Sequence, residues 1–261
     1  MSFISSRFGQ FGYFDALLGR PEWRGKRVLD FGGNVGNMLK DPRSTIDHRS
    51  YWCIDVSRDA IAEGRRRYPD GHWIFYDRYN FAFNPSGTHG LPVPDTEQQF
   101  DYIVAYSVFS HVALSEMIEL VAELKSKLAA GGVLAFTFID PHFDPSASNG
   151  KSYHEYYRGS CLRQRLERQN KDNPTVVDAI LRKADNARWC TLANDQDLYI
   201  DNEDFKHYEQ TEKASFCTFY TSSYMQSLFS ESKVLPPPHE AYPPTPEAVL
   251  QHCCILRKAS E

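Results

Sequence analysis

VLDFGGNVGNML, residues 28–39, is the stretch that decides the fold. Its apolar run ends in an acid, Asp30, and two glycines follow, which is typical of a buried strand that leads into a tight turn. A helix is expected to begin after the turn. Asn34 stands where a third glycine would be expected, and asparagine tolerates a positive φ better than most residues that carry a side chain. We therefore expect Asn34 to preserve the turn and to add a polar group to it.

Similar apolar runs, rich in β-branched and aromatic residues, recur along the chain. They cover residues 26–33, 49–56, 72–76, 100–107, 132–139 and 251–258. Helical patterns lie between them, and the clearest one covers residues 113–128, where Leu114, Met117, Val121 and Leu124 repeat at helical spacing. Alternating strands and helices predict a parallel sheet that is covered on both faces and is built from right-handed crossovers.

The alternation of strand and helix patterns divides the chain into three parts. Residues 1–24 are rich in aromatics and predict a short helix on the core or, alternatively, an aromatic flap over a pocket. Residues 25–140 and 216–261 form the main domain, in which Thr221 or Ser222 would cap a further helix. Residues 141–215 are more polar and contain two amphipathic segments, so we expect a mainly helical cap or lid inserted into the domain.

Composition excludes several classes of function. The 261 residues carry a net charge of −5, which disfavours a nucleic-acid surface because phosphate binding needs clustered Lys and Arg. No apolar run approaches the ~20 residues that span a bilayer. The six cysteines form no CxxC pair and no export signal precedes them, so we expect a reduced, cytoplasmic protein. The oligomeric state is not specified by the sequence.

Ligands of such a sheet lie beyond the carboxyl ends of the strands, where the strand order reverses. At this place the sequence resembles motif I of the class I S-adenosylmethionine-dependent methyltransferases, an acid followed by Gly-x-Gly-x-Gly. Asp30, Gly32, Asn34 and Gly36 stand at the matching positions, and the asparagine is the one departure. FDYIVAYSVFSHV (100–112) and LAAGGVLAFTFID (128–140) resemble the fourth motif and the turn into the fifth strand of that family.

The resemblance, which covers residues 26–140, implies the fold and the cofactor. The fold would be α/β and Rossmann-like, with a doubly wound, mostly parallel seven-stranded sheet and an antiparallel C-terminal strand. The cofactor would be S-adenosylmethionine, with S-adenosylhomocysteine as product. The glycine-rich turn would hold its amino-acid part, Asp55 its ribose and Asp77 its adenine. The full set of expected cofactor contacts is Asp30, Gly32, Gly33, Asn34, Gly36, Asp55, Val56, Asp77, Tyr106 and Ser107.

A nicotinamide-binding Rossmann domain is the main competing interpretation. Its fingerprint is G-x-G-x-x-G with an acid ~20 residues further on, and Asp55 fits that distance. Gly32, Gly33 and Gly36 do not have the required spacing. The strand also ends in Asp30, which is expected of a methyltransferase and not of a dinucleotide-binding domain.

The acceptor side is less clearly marked. His111 follows the fourth apolar run and is the candidate general base, because its pKa range suits proton transfer; packing is the alternative role. Phe11, Phe109 and His142 are candidate acceptor contacts. Asp140, His142 and Asp144 could hold a hard metal ion, but no ligand partner is evident after the fourth run, so we expect no metal.

The function expected from these residues is methyl transfer to a small organic molecule. The reacting atom could be oxygen, nitrogen or carbon. A protein or peptide acceptor is the alternative substrate class. The non-enzymatic alternative is a pseudoenzyme, a domain that binds the cofactor or a partner without turnover.

Overall fold

The structure is a computed structural model of the chain, and it describes residues 9–144, 160–170, 173–193, 197–201, 216–238 and 250–260. The first eight residues of the predicted N-terminal segment and large parts of the predicted insertion, residues 145–159 and 202–215, lie outside these ranges. The helices are α1 Gln10–Leu17, α2 Arg58–Arg67, α3 Leu114–Ser126, α4 Cys161–Gln169, α5 Pro174–Ala184 and α6 Ser222–Leu228. The strands are β1 Val28–Phe31, β2 Tyr51–Asp55, β3 His72–Phe75, β4 Phe100–Ala105, β5 Leu128–Ile139, β6 Trp189–Ala193, β7 Asp197–Ile200, β8 Phe216–Tyr220, β9 Lys233–Leu235 and β10 Gln251–Arg257.

Seven strands form the main sheet in the order β3-β2-β1-β4-β5-β10-β9. Strands β1 to β5 pair in parallel, whereas β10 is antiparallel to both β5 and β9. This arrangement confirms the predicted doubly wound sheet with an antiparallel strand near its C-terminal end. The strand order reverses between β1 and β4, and the loops that leave these two strands therefore flank a crevice in which ligands of such sheets bind.

The sheet is buried on both faces. Helix α3 covers one face with its apolar stripe, since Leu114, Met117, Leu120, Val121 and Leu124 are all buried in one cluster with β4 and β5 side chains. The apolar stripe arises from the helical spacing of these residues. The other face is covered in part by α1, whose aromatic side chains belong to a second buried cluster.

Two local predictions were wrong. The segment 32–47 after β1 contains turns and no helix, because Asn34 and Gly36 adopt φ values of 53° and 85° and interrupt any run of helical residues. Strand β5 begins at Leu128 rather than at Gly132, since the backbone passes through the glycine pair as an irregularity of the strand and not as its start.

The insertion contains a structure that the helical prediction missed. Helices α4 and α5 are present as expected, but β6 and β7 also form a three-stranded antiparallel sheet with β8, in the order β7-β6-β8. This small sheet is attached to the main domain, because Thr218 of β8 donates a 3.2 Å hydrogen bond to the carbonyl oxygen of Val112. Within the described ranges no helix has the length and apolarity needed to cross a membrane.

Candidate active site

The turn after β1 is fixed to the end of β2 by a hydrogen bond. The backbone N–H of Asn34 donates to Oδ2 of Asp55 at 2.8 Å, and the N–H of Ser57 donates to Oδ1 at 2.7 Å. The positive φ of Asn34 confirms that asparagine takes over the role of a glycine at this position. Its side-chain oxygen accepts from the N–H of Val35 at 2.8 Å, which stabilises the turn. The amides of Asn34 and Val35 thus have partners within the protein.

The glycines of the turn are required by packing within the protein itself. A Cβ added to Gly32 would lie 2.4 Å from Cγ2 of Val108, and Gly32 has a φ of 73°. A Cβ added to Gly33 would lie 2.5 Å from Oδ2 of Asp30 and 2.9 Å from Sγ of Cys53. The glycines alone therefore do not identify a ligand site, and the functional argument depends on the carboxylates around them.

Asp30 lies beneath the turn in a fully buried position. The hydroxyl of Tyr51 donates to Oδ2 at 2.7 Å, while Oδ1 is buried and has no hydrogen-bond partner. Burial raises the pKa of Asp30 to about 7, and the hydrogen bond from Tyr51 opposes this rise. A buried carboxyl oxygen without a partner has capacity for one more donor.

Asp55 stands at the carboxyl end of β2 and is 8% exposed. Burial raises its pKa, although its hydrogen bonds from the amides of Ser57 and Asn34 oppose this effect. Each carboxylate oxygen can accept two hydrogen bonds. Asp55 therefore keeps acceptor capacity on both oxygens after its two backbone contacts, which is the capacity that a diol requires.

Asp77 follows β3 and lines a cavity of about 220 Å³. The side chain of Asn84 donates to Oδ1 of Asp77 at 3.0 Å and fixes the orientation of the carboxylate. The cavity is also lined by Val56, Ser57, Arg58, Asp59, Phe75, Phe83, Asn84 and Ser86. Since ligand pockets usually have ~300–1,000 Å³, this cavity would hold one end of a larger ligand.

The loop that carries Asn84 is anchored by a buried arginine. Arg78 donates to Glu116 at 2.8 Å and to Glu119 at 3.2 Å, both on α3, and to the carbonyl oxygen of Leu91 at 2.7 Å. These contacts explain why the long loop after β3 packs on the sheet edge. The sequence of this loop, residues 76–90, is long and rich in aromatic and amide side chains, which favours either a wall of the site or a structural loop, and Phe83 and Asn84 of this loop line the cavity.

Tyr106 and Ser107 leave the end of β4 on the opposite side of the turn. Ser107 has a φ of 57°, and its N–H donates to Oγ1 of Thr137 on β5 at 2.7 Å. The ring of Tyr106 meets Tyr13 of α1 edge-on, with 5.3 Å between ring centroids. Helix α1 therefore borders the crevice next to β4.

His111 contacts the loop after β3. Its carbonyl oxygen accepts from Nδ2 of Asn80 at 3.3 Å, and its ring lies edge-on to Phe83 with 5.8 Å between centroids. The ring of His111 thus contacts Phe83, which lines the cavity beside Asp77, whereas His111 itself does not line that cavity.

The three candidate acceptor contacts are scattered. Phe11 is 4% exposed and packs on Trp23, and Phe109 is fully buried against Phe136. Both rings lie in the core clusters, and their burial favours packing. His142 is exposed at the end of β5, where its N–H donates to Oδ1 of Asp140 at 3.0 Å.

Asp140 is engaged by the start of α6. Its Oδ2 accepts from both the N–H and the hydroxyl of Ser222 at 2.8 Å. Within the described part of the chain no three His, Cys, Asp or Glu side chains are grouped so that they could hold a metal ion.

Comparison with known proteins identifies a methyltransferase domain within the chain. A family model described as a methyltransferase domain matches residues 29–134. The glycopeptide N-methyltransferase MtfA, solved with sinefungin, aligns with a TM-score of 0.52 and 10% identity over 99% of this chain and 96% of that chain. An S-adenosylmethionine-dependent methyltransferase from Clostridium acetobutylicum aligns with a TM-score of 0.51 and 8% identity over 99% of this chain and 94% of that chain. No curated protein gives a significant match.

At such low identity the solved structures establish the shared fold and no subfamily. The domain match favours the methyltransferase interpretation over the dehydrogenase one. Residues 29–134 thus form a methyltransferase domain, and the chain has the fold of the class I S-adenosylmethionine-dependent methyltransferases.

Proposed function

We propose that this chain transfers a methyl group from S-adenosylmethionine to a small organic acceptor. The observation that carries the proposal is the position of Asp55, a buried carboxylate at the switch point of the sheet whose two oxygens keep acceptor capacity. In this assignment Asp55 binds the two ribose hydroxyls. Asp77 accepts from the adenine amino group, and Val56 lies beside the ring in the same cavity.

The residues present fit the cofactor at its other end as well. The amino-acid part carries an ammonium group, and the buried Oδ1 of Asp30 has no partner within the protein. Gly32, Gly33, Asn34 and Gly36 form the turn over Asp30, and Tyr106 with Ser107 closes the site from β4. The three carboxylates thus lie on three neighbouring strand ends or loops, at β1, β2 and after β3.

The chemistry asks little of the protein beyond alignment. When bound, S-adenosylmethionine supplies a methyl group that is already activated by the sulfonium. The chain must hold the acceptor atom in line with the leaving sulfur and exclude water, and such orientation can lower a barrier by as much as ~7–11 kcal/mol. His111 is the proposed general base for an acceptor that must lose a proton, and a base would add a factor of ~100–10,000.

A small acceptor is supported by charge and by the aromatic border of the crevice. The net charge of −5 opposes a polyanionic substrate. Tyr13, Phe14 and Tyr106 meet edge-on where α1 borders the end of β4, and such an aromatic border suits a planar or apolar molecule. A peptide acceptor is the second candidate, because MtfA is named as a glycopeptide methyltransferase. The cytoplasmic location expected from the cysteine pattern stays a proposal, as do the acceptor contacts Phe11, Phe109 and His142.

Isothermal titration with S-adenosylhomocysteine, combined with an assay for its release during turnover, tests the proposal. We expect wild-type protein to bind S-adenosylhomocysteine and to form it from S-adenosylmethionine when a suitable acceptor is added. Binding without turnover on any member of a broad acceptor panel would favour a binding module. Failure of both adenosyl ligands to bind would reject the proposed function.

A further inference from the structure

Two buried glutamine side chains, Gln251 and Gln10, each carry an amide oxygen without a hydrogen-bond partner. Asp55 and Asp77 belong to β2 and the loop after β3, whereas β4, β5 and β10 form the other half of the sheet. Gln251 is the first residue of β10, and it pairs with Ile139 at the carboxyl end of β5. It therefore lies at the same edge of the sheet as the crevice.

Gln251 is held in place from two directions. The hydroxyl of Tyr13 on α1 donates to its carbonyl oxygen at 2.6 Å, and its own Nε2 donates to Oγ of Ser107 at 3.4 Å. The side chain is 4% exposed, and its Oε1 is buried without a hydrogen-bond partner. Gln251 thus contacts both the residue that follows β4 and the helix that borders the crevice.

The hydrogen bonds of Ser107 and Ser110 bear on which carboxamide atom of Gln251 has no partner. The hydroxyl of Ser110 donates to the carbonyl oxygen of Ser107 at 3.3 Å, and the two hydroxyl oxygens are also 3.3 Å apart. With Ser110 donating to the carbonyl, the Ser107 hydroxyl can donate to Ser110 and accept from Gln251. In this arrangement Nε2 of Gln251 faces Ser107, and the atom without a partner is the acceptor Oε1.

Gln10 repeats the pattern on α1. It precedes Tyr13 by three residues and therefore shares its face of the helix. Its side chain is 7% exposed, and its Oε1 is likewise buried without a partner. Buried polar atoms are paired in more than about nine cases of ten, and an unpaired acceptor destabilises the fold. Because Gln10 lies one helical turn from Tyr13, which bonds Gln251, the two oxygens call for a shared explanation.

We propose that Oε1 of Gln251 and Oε1 of Gln10 bind N–H or O–H groups of the methyl acceptor. The acceptor class is then an amine, amide, alcohol or phenol that keeps a donor hydrogen near the methylated atom, and a fully substituted or apolar molecule is bound poorly. This inference rests on the proposed function, since it takes the β2 and β3 side of the crevice for the cofactor. Both glutamines are specificity-determining residues that contact the acceptor.

The test uses the full chain loaded with S-adenosylhomocysteine and three probes of similar size. Phenol and aniline carry a donor hydrogen, whereas anisole does not. Their dissociation constants are measured by ligand-observed NMR for wild type, Gln251→Met and Gln10→Met, with Gln99→Met as an exposed control. The unfolding temperature of each ligand-free variant and its affinity for S-adenosylhomocysteine are measured alongside.

We expect wild type and the control to bind phenol or aniline at least about tenfold more tightly than anisole, which corresponds to roughly one neutral hydrogen bond. Gln251→Met should remove this preference, should leave the affinity for S-adenosylhomocysteine within about twofold, and should not lower the unfolding temperature. The unfolding temperature should hold because methionine keeps the shape of the side chain and removes an unpaired buried acceptor, at the loss of only the 3.4 Å hydrogen bond to Ser107.

Three results would overturn the inference. A lower unfolding temperature for both variants would make the glutamines structural. A loss of affinity for S-adenosylhomocysteine as large as the loss for the donor probes would assign the glutamines to the cofactor. The third result is a wild type that binds phenol and aniline no more tightly than anisole. Failure of wild type to bind S-adenosylhomocysteine would instead contradict the proposed function, so the two failures are distinguishable.

Discussion

The N–H of Asn34 donates a 2.8 Å hydrogen bond to Oδ2 of Asp55 and so joins the turn after β1 to the end of β2. The contact fixes the distance between the two parts of the site that would hold the amino-acid and ribose portions of one ligand. Asn34 adopts a positive φ that is typical of glycine, and its side-chain oxygen stabilises the turn by accepting from the N–H of Val35.

Asp55→Ala should weaken binding of S-adenosylhomocysteine by roughly 100-fold or more. The variant loses two charge-assisted hydrogen bonds to the ribose, each of which contributes ~1.5–3 kcal/mol. Isothermal titration provides the measurement, and Asp70→Ala, an exposed acid, is the matched control. Unchanged affinity in a folded Asp55→Ala protein would remove Asp55 from the cofactor site.

The pair Asp77 and Asn84 should determine recognition of the adenine amino group. Wild type is expected to bind S-adenosylhomocysteine more tightly than S-inosylhomocysteine, in which a carbonyl replaces that amino group. Asp77→Ala should abolish the preference. Asn84→Ala should reduce it by less, because Asn84 only orients the carboxylate through its 3.0 Å hydrogen bond. Equal discrimination by wild type and Asp77→Ala would place the adenine elsewhere.

Asp30 should make the stability of the ligand-free protein depend on pH. Burial raises the pKa of Asp30 to about 7, so the folded state keeps a proton that the unfolded chain releases near pH 4. The stabilising contribution of the protonated group is complete below pH ~4 and is lost as pH rises to about 7, with a slope of at most ~1.4 kcal/mol per pH unit.

Denaturant unfolding of wild type and Asp30→Asn at pH 5 and pH 8 measures this effect. The amide keeps an acceptor for the Tyr51 hydroxyl but does not ionise. The free energy of unfolding of Asp30→Asn, measured relative to that of wild type, should therefore be higher at pH 8 than at pH 5. A stability difference that is the same at both pH values would show that Asp30 does not titrate in this window.

His111→Ala should lower turnover far more than it lowers cofactor affinity. A general base contributes a factor of ~100–10,000 to the rate, whereas no role in cofactor binding is proposed for His111, whose ring packs edge-on to Phe83. Rates of S-adenosylhomocysteine release are compared once an acceptor is found, with His89→Ala as control. Full turnover in His111→Ala would assign the residue to packing.

Arg78→Met should destabilise the fold by about 1.5–3 kcal/mol, because the buried guanidinium bonds two glutamates and the carbonyl oxygen of Leu91. The destabilisation is not larger because Glu116 and Glu119 are partly exposed and can be solvated once the arginine is removed. Chemical denaturation measures the change. Arg66→Met, which removes an exposed ion pair on α2, should have almost no effect.

The alternation of apolar runs and helical patterns was sufficient to predict the main sheet, because buried parallel strands and amphipathic helices have distinct periods. The same reasoning failed for the turn after β1. There, the φ values of Asn34 and Gly36 override the helical appearance of the sequence. It also failed for β6 and β7, which are short and whose sheet is completed only by β8, a strand that follows the insertion.

Carboxylates at strand ends were identified because their positions follow directly from the strands. The hydrogen bond from Asn84 to Asp77 and that from Tyr13 to Gln251 could not be read from the sequence. The first depends on how a long loop folds back. The second joins residues near opposite ends of the chain, and no local pattern records such a contact.

The hydrogen bond between Tyr13 and Gln251 spans 238 positions of the chain. Since α1 is synthesised long before β10, the hydroxyl of Tyr13 gains this acceptor only after β10 has joined the sheet. The border of the crevice is therefore assembled from distant parts of the chain, and a chain truncated before β10 would lack it.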